Sequence, residues 1–415
     1  MKKIAISTHF VLVLLTFFQL SNTQAAEFTV HGIADIRVSQ VDSVEKSYLH
    51  GGQGKFASGD GLQFSVAQVG ADLSIAWENG LSAHGVINAY LKGTGDGEES
   101  AINFTEGYLK YRTLPTASGY RLQTRVGIFY PEISLENDAY AWASKDTLNS
   151  SILNTWIGEE IRVLGSEFKV TRLGRINNDA FDLSLSATAF INNDPAGALL
   201  SWHGWTMSNR QTLWTEKRSI PWFPALNEGH ALAGQARESD PFLEIDHRAG
   251  YHVRGEWLYH GKGEFSLGYY DNRAIPYKVV NGQYGWRTRF YHLGIRWRFT
   301  KELTLVAQYL SGDTLMQSAP GEDVVNNDYT SAFVALTYQW QMLTGNKKHK
   351  STVRFEDFTV KDNDNTWGDN NNEDGQALTF NQSYRLTKHW LLSAEFNYVD
   401  SHRPARYYSF QAIDL

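Results

Sequence analysis

YHVRGEWLYHGKGEFSLGYYD, the stretch Tyr251–Asp271, alternates apolar or aromatic residues with polar ones on either side of a short glycine turn. A period of two places successive side chains on opposite faces of a strand, so the stretch predicts a hairpin. One face ends in aromatic residues such as Trp257, while the other carries Arg254 and Glu256. Aromatic residues at the rims of one face and charges on the other are typical of a hairpin that spans a membrane beside a water-filled lumen.

The same alternation recurs along the chain and predicts sixteen strands. They cover residues 27–40, 62–78, 81–93, 101–113, 119–129, 160–174, 179–192, 246–260, 263–271, 284–299, 301–312, 328–342, 348–361, 375–386, 388–400 and 405–415. Connections after even-numbered strands are short, and those after odd-numbered strands are mostly long. This segregation is typical of outer-membrane barrels. The chain is therefore predicted to be all-β, a 16-stranded antiparallel transmembrane β-barrel with short periplasmic turns and long extracellular loops.

The amino terminus predicts export from the cytoplasm. Lys2 and Lys3 precede an apolar run from Phe10 to Phe18, and small residues follow at the cleavage position of a signal peptide. Residues 1–25 are thus predicted to be a signal peptide and residues 26–415 the barrel. Beyond this segment no apolar run reaches the roughly 18 residues that a helical span needs.

Composition narrows the partners that the protein could have. The net charge of −7 disfavours nucleic acid, and the absence of cysteine excludes disulfides and thiolate chemistry. The predicted partners are outer-membrane lipid, lipopolysaccharide and small hydrophilic solutes, and no cofactor is predicted.

One segment carries a family resemblance. Arg125–Glu136 reads RVGIFYPEISLE, and it resembles the phosphate-selective porin O/P family and related proteobacterial porins. The resemblance implies a 16-stranded, usually trimeric porin whose third loop folds into the lumen. That segment is residues 130–159 here, called loop 3 below. The family takes its anion preference from inward arginines and a lysine-lined constriction, and no lysine cluster can be placed in this chain.

Alternation also predicts which charged residues line the pore. The basic residues are Lys110, Arg112, Arg121, Arg125, Arg254, Arg296, Arg298, Arg354 and Arg385, and carboxylates such as Glu106 and Glu256 share their face. Two interpretations stay open. Ion pairs that brace the wall are favoured over a net field that attracts anions.

Loop 3 is predicted to supply the acidic side of a constriction. Its candidate residues, with one just beyond it, are Glu132, Glu136, Asp138, Glu159 and Glu160. Glu136 is the best candidate to face the arginines of the fourth and fifth strands, because it follows the strand end closely. A loop that simply packs against the inner wall is the alternative, and the two are compatible.

The connection 193–245, called loop 4 below, is rich in aromatic residues. Trp202, Trp205, Trp214 and Trp222 could stack on sugar rings, although such residues more often pack a loop into its own small core.

Metal binding and catalysis are not predicted. Asp362–Gly375 is dense in Asp and Asn, but its spacing does not match the twelve-residue calcium loop. His203, His230 and His247 lie in or beside loop 4 near Ser201 and Asp240, without a spacing that indicates a triad or a metal set.

The sequence therefore predicts a porin that forms a water-filled channel for passive diffusion of small hydrophilic or anionic solutes. The alternatives are a barrel whose lumen is filled by loops, acting as receptor, adhesin or structural protein, and a specific sugar channel that uses the aromatic residues of loop 4.

Overall fold

One antiparallel sheet organises the chain. The computed structural model describes residues 26–43, 45–90, 101–341 and 348–404. Within them, fifteen strands pair with their neighbours in chain order. The strands are β1 Ala26–Val41, β2 Gly61–Trp77, β3 Leu81–Ala89, β4 Ile102–Arg112, β5 Tyr120–Phe129, β6 Val163–Arg172, β7 Phe181–Ile191, β8 Gly250–Tyr259, β9 Gly263–Asp271, β10 Arg287–Arg298, β11 Leu303–Ala319, β12 Glu322–Gln341, β13 Lys348–Asp362, β14 Glu373–Arg385 and β15 Leu391–His402. The predicted signal peptide and sixteenth strand lie outside the described residues.

The two faces of the sheet differ as the alternation predicts. In β10, Tyr291 is 63% exposed whereas its neighbour His292 is 1% exposed. Large apolar side chains are exposed on the outer face of nearly every strand, among them Phe28, Val38, Phe64, Phe168, Leu185, Leu267, Val334, Phe355, Leu392 and Phe396. The outer face is therefore an apolar band, and the polar side chains point inward.

The sheet curves around loop 3. Asn149 in loop 3 receives a hydrogen bond from Arg37 of β1 and donates one to Glu395 of β15, at 2.9 Å each. One residue thus contacts both edge strands of the fifteen, which shows that the sheet is barrel-shaped and that loop 3 lies inside it.

A short helix forms the deepest part of loop 3. Helix α1, Ile152–Glu160, begins after Ser151, whose hydroxyl accepts a hydrogen bond from the amide of Asn154 at 3.2 Å. A side-chain acceptor at this position satisfies an amide that the helix itself cannot. All nine residues of α1 are buried. Apolar residues pack against part of this helix, while Asn154, Thr155, Glu159 and Glu160 make polar contacts.

Those apolar neighbours come from the inner wall. Trp156 of α1 lies edge-on against Phe290 and Tyr329, with ring centroids 5.5 and 5.3 Å apart. Phe190, Tyr270, Leu310 and Phe358 belong to the same buried cluster. The barrel thus holds an apolar core at the level of α1, although its inner face was predicted to be polar.

Loop 4 folds over loop 3. It contains helix α2, Ala198–His203, and a minimal hairpin of Arg218–Ser219 with Glu238–Ser239. Trp205 lies 5.9 Å from Trp156, and the hydroxyl of Thr155 donates to the carbonyl of Ser208 at 2.9 Å. Loops 3 and 4 are therefore one packed unit within the barrel.

One segment that was predicted to be a loop consists mostly of strand. Residues 313–327 were predicted to join two strands, but β11 and β12 continue to Ala319 and from Glu322, with only Pro320 and Gly321 between them. A hairpin that extends beyond a membrane needs no apolar outer face, so its polar residues resembled a loop.

No helix in the described part of the chain is long and apolar enough to cross a membrane.

Candidate functional site

Arg354 fastens loop 3 to the wall. This β13 side chain is fully buried, and its guanidinium donates to Glu356 at 2.8 Å and to Glu136 at 3.2 Å. It also donates to the carbonyls of Asn149 and Ser150, both at 3.0 Å. A guanidinium has five N–H donors in a fixed planar geometry, which suits it to bind several acceptors at once. Arg354 therefore holds a folded segment in position and is not exposed to solvent in the lumen.

Glu136 is the partner of Arg354, and this corrects the sequence prediction. Glu136 also accepts hydrogen bonds from the amide of Ser151 at 2.5 Å and from the side chain of Asn154 at 2.9 Å. It was expected beside the arginines of the fourth and fifth strands. Loop 3 instead crosses the lumen before α1 begins, so Glu136 reaches the opposite wall.

Glu132 makes a second attachment, to strands β6 and β8. It accepts from Lys169 at 2.9 Å and from Arg254 at 3.0 Å. Although burial opposes its ionisation, Lys169, Arg125 and Arg254 lower the pKa of Glu132 to about 2. Glu132 is therefore charged at every physiological pH. Glu256 completes the cluster through Lys169 at 3.3 Å and through Arg254.

Asp138 lies on the more open side of loop 3. It pairs with Arg296 of β10 at 2.8 Å and with Lys145 of loop 3 at 3.5 Å. About a third of its side-chain surface, 32%, is exposed. Asp138 therefore keeps both an ion pair and contact with solvent, as does Glu132, whose side chain is 34% exposed.

Glu159 and Glu160 face loop 4. Glu159 pairs with Arg218 at 3.1 Å, while Glu160 accepts from the amides of Gly197 and Leu199 at 3.0 Å. Burial raises the pKa of both carboxyls to about 7. These two residues join loops 3 and 4 and do not line open space.

The predicted pore-lining cations fall into two groups. Arg125, Arg254 and Arg354 are buried and paired, and Arg296 is paired. Lys110, Arg112, Arg121, Arg298 and Arg385 form no ion pair among the described residues. The second group lies in strand segments next to the short turns, an end of the barrel called the turn end below. Ion pairs thus brace the wall at mid-height, and unpaired cations gather at the turn end.

Between loop 3 and the wall of β1–β4 lies a cavity of about 300 Å³. Its polar lining consists of His31, Asp72, Ser74, His84, Glu106, Tyr108, Asn137 and Asp138. Asp72 accepts a hydrogen bond from the amide of Ala141 at 3.1 Å, which fixes the loop side of this space. The cavity is the candidate passage, and four strands and loop 3 form its walls.

The aromatic residues of loop 4 are mostly interior. Trp202 is fully buried against Trp286, 4.9 Å away, and Trp205 is fully buried against Trp156. The ring of Trp214 receives the guanidinium of Arg162 at 5.3 Å. Only Trp222, 39% exposed, has the surface that a stacked ligand would need. Packing into a loop core was the favoured prediction, and ligand stacking at Trp202 and Trp205 is wrong.

The loop-4 histidines have separate neighbours. His203 Nε2 lies 2.7 Å from the carbonyl of Ser219, and the ring of His230 stacks on Trp367 at 4.5 Å. Ser201 accepts a hydrogen bond from Asn327 at 2.9 Å.

Several contacts of loop 3 were missed in the sequence. Gln308 bonds to the amide of Leu135 at 2.8 Å and to Asn154 at 2.9 Å, and Gln68 donates to the carbonyl of Ala141 at 2.9 Å. Gln308 did appear on a predicted strand. Nothing in strand alternation indicates which lumen residue a distant loop will reach.

Comparison with known proteins gives structural matches only. No family model and no curated protein matches the chain. It is similar to the outer-membrane channel DcaP of Acinetobacter baumannii, with 13% identity, a TM-score of 0.48, and coverage of 92% of this chain and 93% of that one. It is also similar to an anion-selective porin from Comamonas acidovorans, with 15% identity, a TM-score of 0.46, and coverage of 91% and 90%. OmpT, an outer-membrane protein of Vibrio cholerae, has 12% identity, a TM-score of 0.44, and coverage of 92% and 88%. Membership of the phosphate-selective porin O/P family is not confirmed.

Proposed function

We propose that the protein is an outer-membrane porin of a Gram-negative bacterium, through which small hydrophilic solutes diffuse between loop 3 and the wall of β1–β4. The observation that carries this proposal is a polar cavity inside a sheet whose outer face is apolar. An apolar band of this extent is stable against lipid, and water-filled space is stable beside charged side chains. The activity is transport and not catalysis.

The charges of the passage favour a mild and position-dependent selectivity. Asp72, Glu106 and Asp138 lie at the cavity, whereas Lys110, Arg112 and Arg121 lie at the turn end, which this proposal places in the periplasm. Anions are thus attracted at the mouth and cations at the constriction. We expect weak net selectivity for either sign, and no specificity for phosphate.

A second candidate function is a loop-filled barrel that acts as receptor, adhesin or structural protein. The favouring observation is the apolar core inside the barrel, where Trp156 and Trp205 are 3% and 0% exposed. Such a core closes the part of the lumen around α1. The homotrimer that the family resemblance implies stays a prediction under both functions.

Planar-bilayer recording of the purified protein separates the two candidates. A porin gives steady, ohmic steps at low voltage and a small reversal potential in a salt gradient. A folded, membrane-inserted protein that conducts nothing supports the loop-filled barrel. Heat-modifiable migration in detergent gels verifies the fold in either case.

A further inference from the structure

Three carboxylates meet where loop 4 leaves and rejoins the sheet. Asp194 follows β7, and Glu244 and Asp246 precede β8. One oxygen from each of the three lies within 4.8 Å of the others. Asp194 is fully buried, and the other two are half-buried.

No described cation compensates these charges. Among the described residues, none of the three carboxylates takes part in an ion pair. Their contacts are backbone amides: Ile245 donates to Asp194, Ile275 to Asp246 and Asn192 to Glu244, at 2.5, 2.5 and 2.7 Å. Amides orient the carboxylates but carry no net positive charge. Clustered, partly buried anions are costly without a counter-charge.

The second observation is an oxygen without a partner. Oδ1 of Asp194 is buried and accepts no hydrogen bond in the described structure. Buried polar atoms are nearly always paired, so an orphan among two further carboxylates indicates a missing ligand.

We propose that Asp194, Glu244 and Asp246 bind a divalent cation, with Ca²⁺ as the best match. Carboxylate oxygens are hard ligands, which favour Ca²⁺ and Mg²⁺ over softer metals. Ca²⁺ accepts six to eight oxygens in flexible geometry, so three carboxylates and several waters suffice. The ion ties the first residues of loop 4 to its last residues and, through Asp246, to the loop after β9. It thereby holds the two ends of loop 4 together.

Calcium titration of the folded protein tests the site. After treatment with EDTA and its removal, calorimetry with CaCl₂ should show one strong site per chain. Asp194→Asn and Glu244→Gln should each weaken binding about ten-fold or more, since even second-shell changes at metal sites cost that much. Asp362→Asn, at the end of β13 where the other acidic segment begins, should leave binding unchanged.

Limited proteolysis supplies a readout that needs no variant. EDTA should increase cleavage within loop 4 of the wild-type protein, and CaCl₂ should restore protection. Absence of binding to the wild-type protein overturns the proposal. So does binding that persists in both loop-4 variants or is lost only in Asp362→Asn. Heat-modifiable migration confirms that each variant is folded, and these outcomes are independent of channel conductance.

Discussion

At the scale of single residues, buried charges attach loop 3 to the barrel wall, and solvent-exposed charges contribute less to this attachment. Arg354 is the clearest case, because its guanidinium contacts two wall or loop carboxylates and two loop carbonyls at once. Removal of one partner from such a cluster leaves the others desolvated and uncompensated. The sequence placed Arg354 on the correct face, among pore-lining cations for which wall-bracing ion pairs were the favoured interpretation, but it did not indicate the contact with loop 3.

We therefore predict that Arg354→Leu lowers the free energy of unfolding by about 3–5 kcal/mol, because Glu136 and Glu356 remain buried without their cation. Arg385→Leu is the matched control, since Arg385 is exposed and its change should cost about 0.5 kcal/mol or less. The temperature at which the folded form disappears in heat-modifiability gels compares the stability of the two variants with that of the wild-type protein. Equal shifts in the two variants would contradict a bracing role for Arg354.

Asp138 is predicted to influence selectivity more than Glu136 does. Asp138→Asn releases Arg296 and Lys145 from an acidic partner beside the cavity. The reversal potential in a salt gradient should move toward anions, and more strongly at low salt because screening is weaker there. Asp323→Asn, in the exposed β11–β12 hairpin, should produce no such shift. An equal shift in both variants would place the constriction elsewhere.

At the scale of elements, loop 3 and loop 4 behave as an internal core that the barrel encloses. Helix α1 is its centre, with Trp156 packed against loop 4 on one side and against β10 and β12 on others. The consequence is that stability and channel width are linked, because the same side chains that stabilise the loops also narrow the lumen.

Trp156→Ala is predicted to lower stability by about 3–5 kcal/mol, as large-to-small changes in a core do. It should also increase the single-channel conductance or the fluctuations of the current, since α1 loses the main contacts that hold it in place. Trp367→Ala provides the control, because Trp367 is 58% exposed. Unchanged conductance in a folded Trp156→Ala protein would show that α1 does not limit the passage.

Glu159 and Glu160 are predicted to raise the free energy of unfolding as pH falls from 8 to 5. Glu159 and Glu160 have a pKa of about 7 in the folded protein, above the ordinary value for a glutamate. Between these values the folded state binds more protons than the unfolded state, so the free energy of unfolding rises as pH falls. Thermal unfolding at pH 8, 6.5 and 5 measures this. Glu159→Gln should show a smaller pH dependence, and an identical dependence would exclude Glu159 as a contributor.

The sequence was informative about the strands, and the family resemblance implied an inward loop 3, but neither indicated the apolar core inside the barrel. Residues 263–271 were predicted as a strand, and β9 spans Gly263–Asp271, because alternation reports directly on a sheet with unlike faces. The same alternation carries Phe290 and Tyr329 onto the inner face, in phase with His292 and Ser331. Large aromatic residues at inward-facing strand positions were the feature of the sequence that could have indicated an internal core. The route of loop 3 to Arg354 depends on long-range packing, which periodicity does not encode.

At the scale of the whole molecule, the proposed channel rests on an apolar outer band, a polar cavity and an internal loop core. The central claim is that solutes pass between loop 3 and the wall of β1–β4. The chain contains no cysteine, so a single introduced thiol can report on that route without background. Ser74 on β2 lines the cavity, and Ser318, in the β11–β12 hairpin, is exposed outside it.

The most direct measurement is the bilayer current of Ser74→Cys before and after a bulky charged methanethiosulfonate reagent, with Ser318→Cys as the matched control. Modification at residue 74 should reduce the single-channel current sharply, and modification at residue 318 should leave it unchanged. Mass spectrometry establishes that both thiols have reacted. A full current through fully labelled Ser74→Cys channels would contradict the proposed passage.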